Sequence, residues 1–204
     1  MSKHDYLRGF FQHLLNLSLL LRSVACLFVM LMVSCAHPGT LGERQERAKR
    51  LSHDLQKLAS TVRKEEADRM AVTAVEESAK LSKIYKPMRL AWSNNALVNM
   101  GLRERGLCYQ WRDDLFPHLF HLQCKTLQLH LATSKRGTPL EHSALVVTAR
   151  GQPFNEGVLL DPWRKGGRLY WKYLADGKKN VWQPLHRDLT PMVLRPLLMP
   201  EHYP

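Results

Sequence analysis

The hydrophobic period of the chain changes once, near residue 125, and that change constrains the fold more than any other feature. Before it, apolar residues recur every three or four positions. Leu51, Leu55, Leu58 and Val62 form a narrow stripe. Met70, Val72, Ala74, Val75, Ala79, Leu81 and Ile84 continue it as a broader one, and this is helical spacing. After the change, Leu127, Leu129 and Leu131 alternate with Gln128 and His130, the pattern of a half-buried strand. Helices first and strands afterwards specify an α+β fold, not an alternating α/β one.

The same patterns set the expected elements. They predict one long broken helix or two helices over 44–85, a further helical segment over 88–104, and a helix from Cys108 to Phe120 whose last turn Pro117 disturbs or ends early. Strands are expected over 127–131, 142–149, 157–161 and 169–173. Asp176-Gly177 reads as a hairpin turn into Val181-Trp182, which makes the second half an antiparallel meander. The domain reading is residues 1–34 as a signal peptide, 35–64 as a tether and exposed helix, and 65–204 as one globular domain. The proline-rich end is expected to wrap the surface.

Residues 23–34 are apolar apart from Ser23 and Ser34, and Arg22 precedes them. A charge, a short apolar run and small residues at its end describe a secretory signal. The run is shorter than the roughly 20 apolar residues a membrane span needs. A longer membrane segment from near Gly9 is the competing reading, with Arg22 as a costly charge in its middle. Met32-Val33-Ser34-Cys35 resembles a bacterial lipobox. The resemblance implies a diacylglyceryl thioether on Cys35, cleavage just before it, and acylation of the new N-terminus. Several acyl chains on one residue anchor a protein stably, where one is marginal. Ala36 follows the cysteine in place of a retention aspartate. The implied location is therefore the bacterial cell envelope, at the periplasmic face of the outer membrane.

The formal charge is +12, and most of it lies beyond residue 34, because only Lys3, Arg8 and Arg22 against Asp5 precede it. Such a surface attracts anions. The basic residues are spread out and form no run of five or six. That suits a membrane surface better than specific nucleic-acid binding. No glycine-rich phosphate loop and no nucleic-acid motif is present, and no cofactor is expected.

The four cysteines, Cys26, Cys35, Cys108 and Cys124, lack the paired spacing of a zinc framework. His118, His121 and Cys124 recur at three-residue intervals, but Pro117 compromises a metal-binding helical face there. Cys108 follows Gly106 at an expected helix start. A thiolate is favoured at a helix N-terminus or beside an imidazolium, and unpaired backbone N–H groups there can stabilise an oxyanion. His142 opens one expected strand and Asp161 closes the next. If the hairpin between them turns near 151–153, they lie nearly opposite each other; a one-residue slip would put them on different faces. Duller roles compete. Cys108 can be a small buried hydrophobe or a disulfide partner of Cys124 in an oxidising compartment. His142 can be a satisfied strand-end residue, and Asp161 before proline a turn residue.

Gly106-Leu107-Cys108 opening a helix, Glu141-His142 opening an apolar strand, and Val158-Leu159-Leu160-Asp161-Pro162-Trp163 together resemble the transglutaminase-like core of the papain-like cysteine enzymes, over about residues 88–175. The order Cys, His, Asp and the gaps of 34 and 19 residues suit that family. The resemblance implies a Cys-bearing helix packed on an antiparallel sheet, with Cys108 as nucleophile, His142 as general base and acid, and Asp161 as the orienting group. It also implies action on an amide or peptide bond of an envelope protein or peptide through a thioester. Inactive descendants exist in the family, so a non-catalytic lipoprotein that binds an envelope partner is the alternative.

Overall fold

The computed structural model describes residues 16–17, 19–24, 37–88, 91–177, 181–185, 191 and 194. Cys26 and Cys35 lie outside the described residues. The chain divides into two compact units, Met1–Cys35 and Ala36–Pro204. In the first, residues 16–17 and 19–24 are helical and exposed. No helix among the described residues is long and apolar enough to cross a membrane.

The second unit is α+β. Four helices, α1 (Leu41–Gln56), α2 (Lys64–Tyr85), α3 (Ala91–Asn99) and α4 (Cys108–Phe120), precede five strands. These are β1 (Leu127–Ser134), β2 (His142–Ala149), β3 (Val158–Asp161), β4 (Tyr170–Tyr173) and β5 (Trp182–Pro184). All strand pairs are antiparallel, in the order β4-β3-β2-β1-β5. Alternation gives the sheet two faces. Leu129, Leu131, Leu145, Val147, Val158 and Leu160 join the helices in the main core. Ala132, Ala144, Val146 and Leu159 form a second cluster, with Phe154, Leu174 and Trp182 packed on it.

Three expectations are corrected. The segment 35–64 is not a tether with an exposed helix: α1 is capped by a Thr40–Glu43 capping box, and its Ala48, Leu51 and Leu55 are core residues. Fully burying two leucines outweighs the freedom of a tether, since truncating each costs about 2–5 kcal/mol. α1 is also tied to the sheet edge, where Trp171 Nε1 donates to Asp54 Oδ2 at 2.9 Å and Tyr173 Oη donates to the Asp54 carbonyl at 2.9 Å. Second, the sheet is not a simple meander. β5 does not return beside β4 but pairs with β1 at the opposite edge, Ser134 against Trp182. Third, the proline-rich end is not confined to the surface, because Leu194 is buried in the main core. Pro117 leaves α4 intact to Phe120.

A glycine turn locks α2 against the connection from β3 to β4. Gly167 has φ +88°, and a Cβ there would lie 2.3 Å from Ser82 Cβ. Ser82 Oγ donates to the Gly166 carbonyl at 2.7 Å. Only glycine allows this approach, and it holds the end of β3, where Asp161 lies, against the helical layer.

Candidate active site

The start of α4 is fixed by its own sequence. Gly106 has φ +139°, a backbone state that glycine adopts readily. Gln110 reaches back, its Oε1 accepting from the N–H groups of Gly106 at 2.7 Å and Leu107 at 3.0 Å. Trp111 Nε1 donates to the Gly106 carbonyl at 3.2 Å, and the buried indole stands edge-on to Tyr85 at 4.8 Å. Leu107 is the N-cap and offers no side-chain cap. The N–H groups of the first turn, at Cys108 and Tyr109, are therefore left for a ligand.

Cys108 is half-buried and carries a free thiol. It lines an open cleft of about 620 Å³ together with Tyr109, Arg112, Arg136, Glu141 and Ser143. Cys124 is also free but buried, and burial pushes its thiol up to about 11. Cys108 opens a 13-residue helix, about 20 Å long, and Cys124 lies past its other end. A disulfide between them, which needs Cα atoms within about 7 Å, is ruled out. Among the described residues no group of three metal-ligating side chains gathers, so His118, His121 and Cys124 do not form a metal site.

His142 and Asp161 do meet. β2 pairs with β3 in the register Leu145–Leu160, which sets Asp161 level with Ala144, one same-face step from His142. His142 Nε2 donates to Asp161 Oδ2 at 2.7 Å. The carboxylate is wholly buried and the imidazole 12 % exposed. A carboxylate only accepts, so the bond fixes the proton on Nε2. Arg164 completes the set, its backbone N–H donating to Asp161 Oδ1 at 3.0 Å and its Nε to Oδ2 at 2.9 Å. The imidazole ring packs against Trp163 at 4.7 Å and Trp182 at 5.4 Å.

The remaining ring nitrogen, Nδ1, is buried and has no hydrogen-bond partner in the resting structure. Its neighbour is Cys108. Burial by itself lowers the pKa of the imidazole, but the hydrogen bond to Asp161 and the interaction with the Cys108 thiol outweigh it and raise the value to about 9. Nδ1 lies beside Cys108 without a formed hydrogen bond to it. The arrangement thus holds a protonated imidazole at neutral pH beside a half-buried thiol at a helix N-terminus.

The three residues singled out in the sequence, Cys108, His142 and Asp161, therefore share one site. Three partners were not singled out. Arg164 had a signal, since an aspartate before proline favours a local turn that captures the N–H three residues on. Trp182 reaches His142 only because β5 crosses to the β1 edge. Arg112 had no signal in the sequence and is only 4 % exposed.

No protein-family model, no curated protein and no solved structure matches the chain.

Proposed function

We propose that the chain is an envelope-anchored lipoprotein with a transglutaminase-like cysteine-enzyme domain that acts on an amide or peptide bond through a thioester at Cys108. The observation that carries this reading is the buried His142–Asp161 bond, with the opposite ring nitrogen unbonded beside Cys108 at the edge of an open cleft. A half-exposed cleft thiol favours an enzyme over a non-catalytic binder, whose cysteine would be sealed in the core like Cys124. Cleavage before Cys35 leaves the compact unit Ala36–Pro204 whole, which agrees with an acyl anchor at that residue.

The chemistry follows from the geometry. The Cys108 thiolate attacks the carbonyl carbon, and the carbonyl π electrons move onto oxygen, within reach of the uncapped N–H groups of the helix end. The tetrahedral adduct collapses, the C–N bond breaks, and the leaving amine takes the proton from His142 Nδ1. The acyl group is now a thioester. Water or a second amine then attacks it, gives its proton to Nδ1, and Sγ leaves as thiolate. Hydrolysis and transfer use the same residues. Asp161 keeps the ring in the Nε2–H form throughout, and Arg164 keeps Asp161 in place.

The test is alkylation of Cys108 by iodoacetamide, read at its own peptide by mass spectrometry, on the full chain in detergent from pH 5 to 9. The rate stays high down to pH 6, and His142→Ala lowers it there by roughly 100-fold, the deficit of an ordinary thiol at that pH. Cys124 stays unlabelled while the protein is folded. Equal, slow labelling of Cys108 in both proteins would overturn the enzyme reading. Metabolic labelling with palmitate tests the anchor; incorporation that survives Cys35→Ala contradicts it.

A further inference from the structure

The cleft beside Cys108 contains a cation that the thioester chemistry does not use. Arg112 stands four residues after Cys108 on α4, so the two share a helix face and are about 6 Å apart along the axis. Its side chain lines the cleft but is only 5 % exposed. Nε donates to Asp113 Oδ1 at 2.7 Å. No other hydrogen bond to this guanidinium forms among the described residues. The terminal nitrogens, four of the five N–H donors a guanidinium carries, are therefore left without a protein acceptor.

Most of this side chain is shielded from water, and its terminal nitrogens have the open cleft in place of a protein acceptor, so an acceptor entering the cleft is favoured there. The other charged groups of the cleft do not supply one. Glu141 is held by its own loop, with Oε2 accepting from the Gly137 N–H at 2.8 Å, and Arg136 adds a second positive charge to the lining. A planar fork of donors matches a carboxylate in a bidentate geometry.

Resting on the reading of Cys108 as nucleophile, we infer that Arg112 binds a carboxylate of the substrate's acyl part. The substrate class is then an amide whose acyl side carries a free carboxylate within about one helical turn of the attacked carbonyl. Arg112 is a binding residue that selects this acyl group, and Asp113 is the positioning residue that holds its guanidinium. The carboxylate is either an acidic side chain on the acyl residues or the free α-carboxylate of a residue attacked at its side-chain carbonyl, because a peptide's C-terminal carboxylate lies on the amine side of its peptide bonds.

Two alkylating agents of nearly equal size test it on the full chain in detergent. Iodoacetate carries the carboxylate and iodoacetamide does not. Relative to free cysteine in the same buffer, Cys108 favours iodoacetate by roughly tenfold, and Arg112→Gln removes that preference, read as the ratio of the two rates so that any common change in thiol reactivity cancels. Arg112→Lys keeps the charge, guards against misfolding, and retains only part of the preference. Fast alkylation by both agents with a ratio equal to that of free cysteine, or one unchanged in Arg112→Gln, overturns the carboxylate site and leaves the nucleophile standing. Slow alkylation by both overturns the nucleophile and this inference with it. Protection of Cys108 by N-acetylglutamine, whose α-carboxylate is free, but not by its α-amide, assigns an α-carboxylate. Protection by an amidated tripeptide containing glutamate assigns a side chain. Protection by neither overturns the proposal.

Discussion

His130 and His142 stand on neighbouring strands of one sheet, both largely shielded from water, yet their pKa values move in opposite directions. His130 bonds Thr148 Oγ1 at 3.0 Å and packs edge-on to Phe154 at 5.7 Å. Its surroundings carry no compensating charge, and burial lowers it to about 4. His142 is buried as well, but Asp161 and Cys108 raise it to about 9. Burial therefore does not decide the state of a histidine in this sheet; the partner of its second nitrogen does. One histidine is a neutral packing group. The other is a stored proton beside a thiol.

The comparison breaks most completely if the carboxylate is removed. In Asp161→Asn the pKa of His142 falls below its ordinary 6.5, towards that of His130, as followed by histidine NMR. Arg164 loses its partner too, and urea unfolding shows a stability loss of about 3–5 kcal/mol, the scale for breaking a buried pair. A His142 that still titrates well above 7 in that variant would show that Asp161 is not what holds the proton.

The two histidines also give the stability–pH curve opposite slopes. The folded pKa of His142 is raised, so its contribution is fully present below about pH 6.5 and disappears as pH rises through about 9. It is on the order of 2–3 kcal/mol, and His142→Ala flattens the alkaline side of the curve. His130 has a depressed pKa, so it is unfavourable for folding only where the unfolded state binds the proton. Stability falls as pH drops from about 6.5 towards 4, by on the order of 1–2 kcal/mol after allowing for partial exposure. His130→Gln removes that loss. Denaturant titrations across pH separate the two, and an acid loss unchanged in His130→Gln would sink the account of His130.

The smallest effect is expected at Arg164. Its side chain is 46 % exposed, and solvent screens its charge, so Arg164→Gln costs less than about 1 kcal/mol. Removing that cation raises the pKa of His142 slightly. A fall would mean that Arg164 supports the imidazolium chiefly by positioning Asp161.

What was legible in the sequence followed local rules. Gly106 marks the start of α4 because its backbone needs a glycine, and Cys108 lands at the first helical position. The Arg150–Gly157 turn and the Leu145-Val146-Val147 and Val158-Leu159-Leu160 runs marked β2 and β3 as a hairpin, but its register was conditional on a turn near 151–153, and the observed pairing of Leu145 with Leu160 is what puts His142 and Asp161 on one face. Other features were not local. Nothing near Trp182 says that it pairs with β1 in place of β4, because a three-residue strand carries no mark of its partner. α1 looked exposed because its stripe alternates leucines with Ala48 and Ser52. Those small residues give only a weak hydrophobic signal, yet they are buried along with Leu51 and Leu55. Arg112 was passed over for a related reason, since charge predicts solvent unless a specific partner or cleft is known.

The central claim is that Asp161 and Cys108 together keep His142 protonated in the folded protein. It is tested most directly by titrating His142 with NMR in the full chain and in Cys108→Ser. In the wild type, His142 is an imidazolium at pH 7.5 and titrates near 9; in Cys108→Ser its pKa falls but stays above that of His130. A neutral His142 at pH 7.5, or a titration that Cys108→Ser leaves unchanged, would contradict the account.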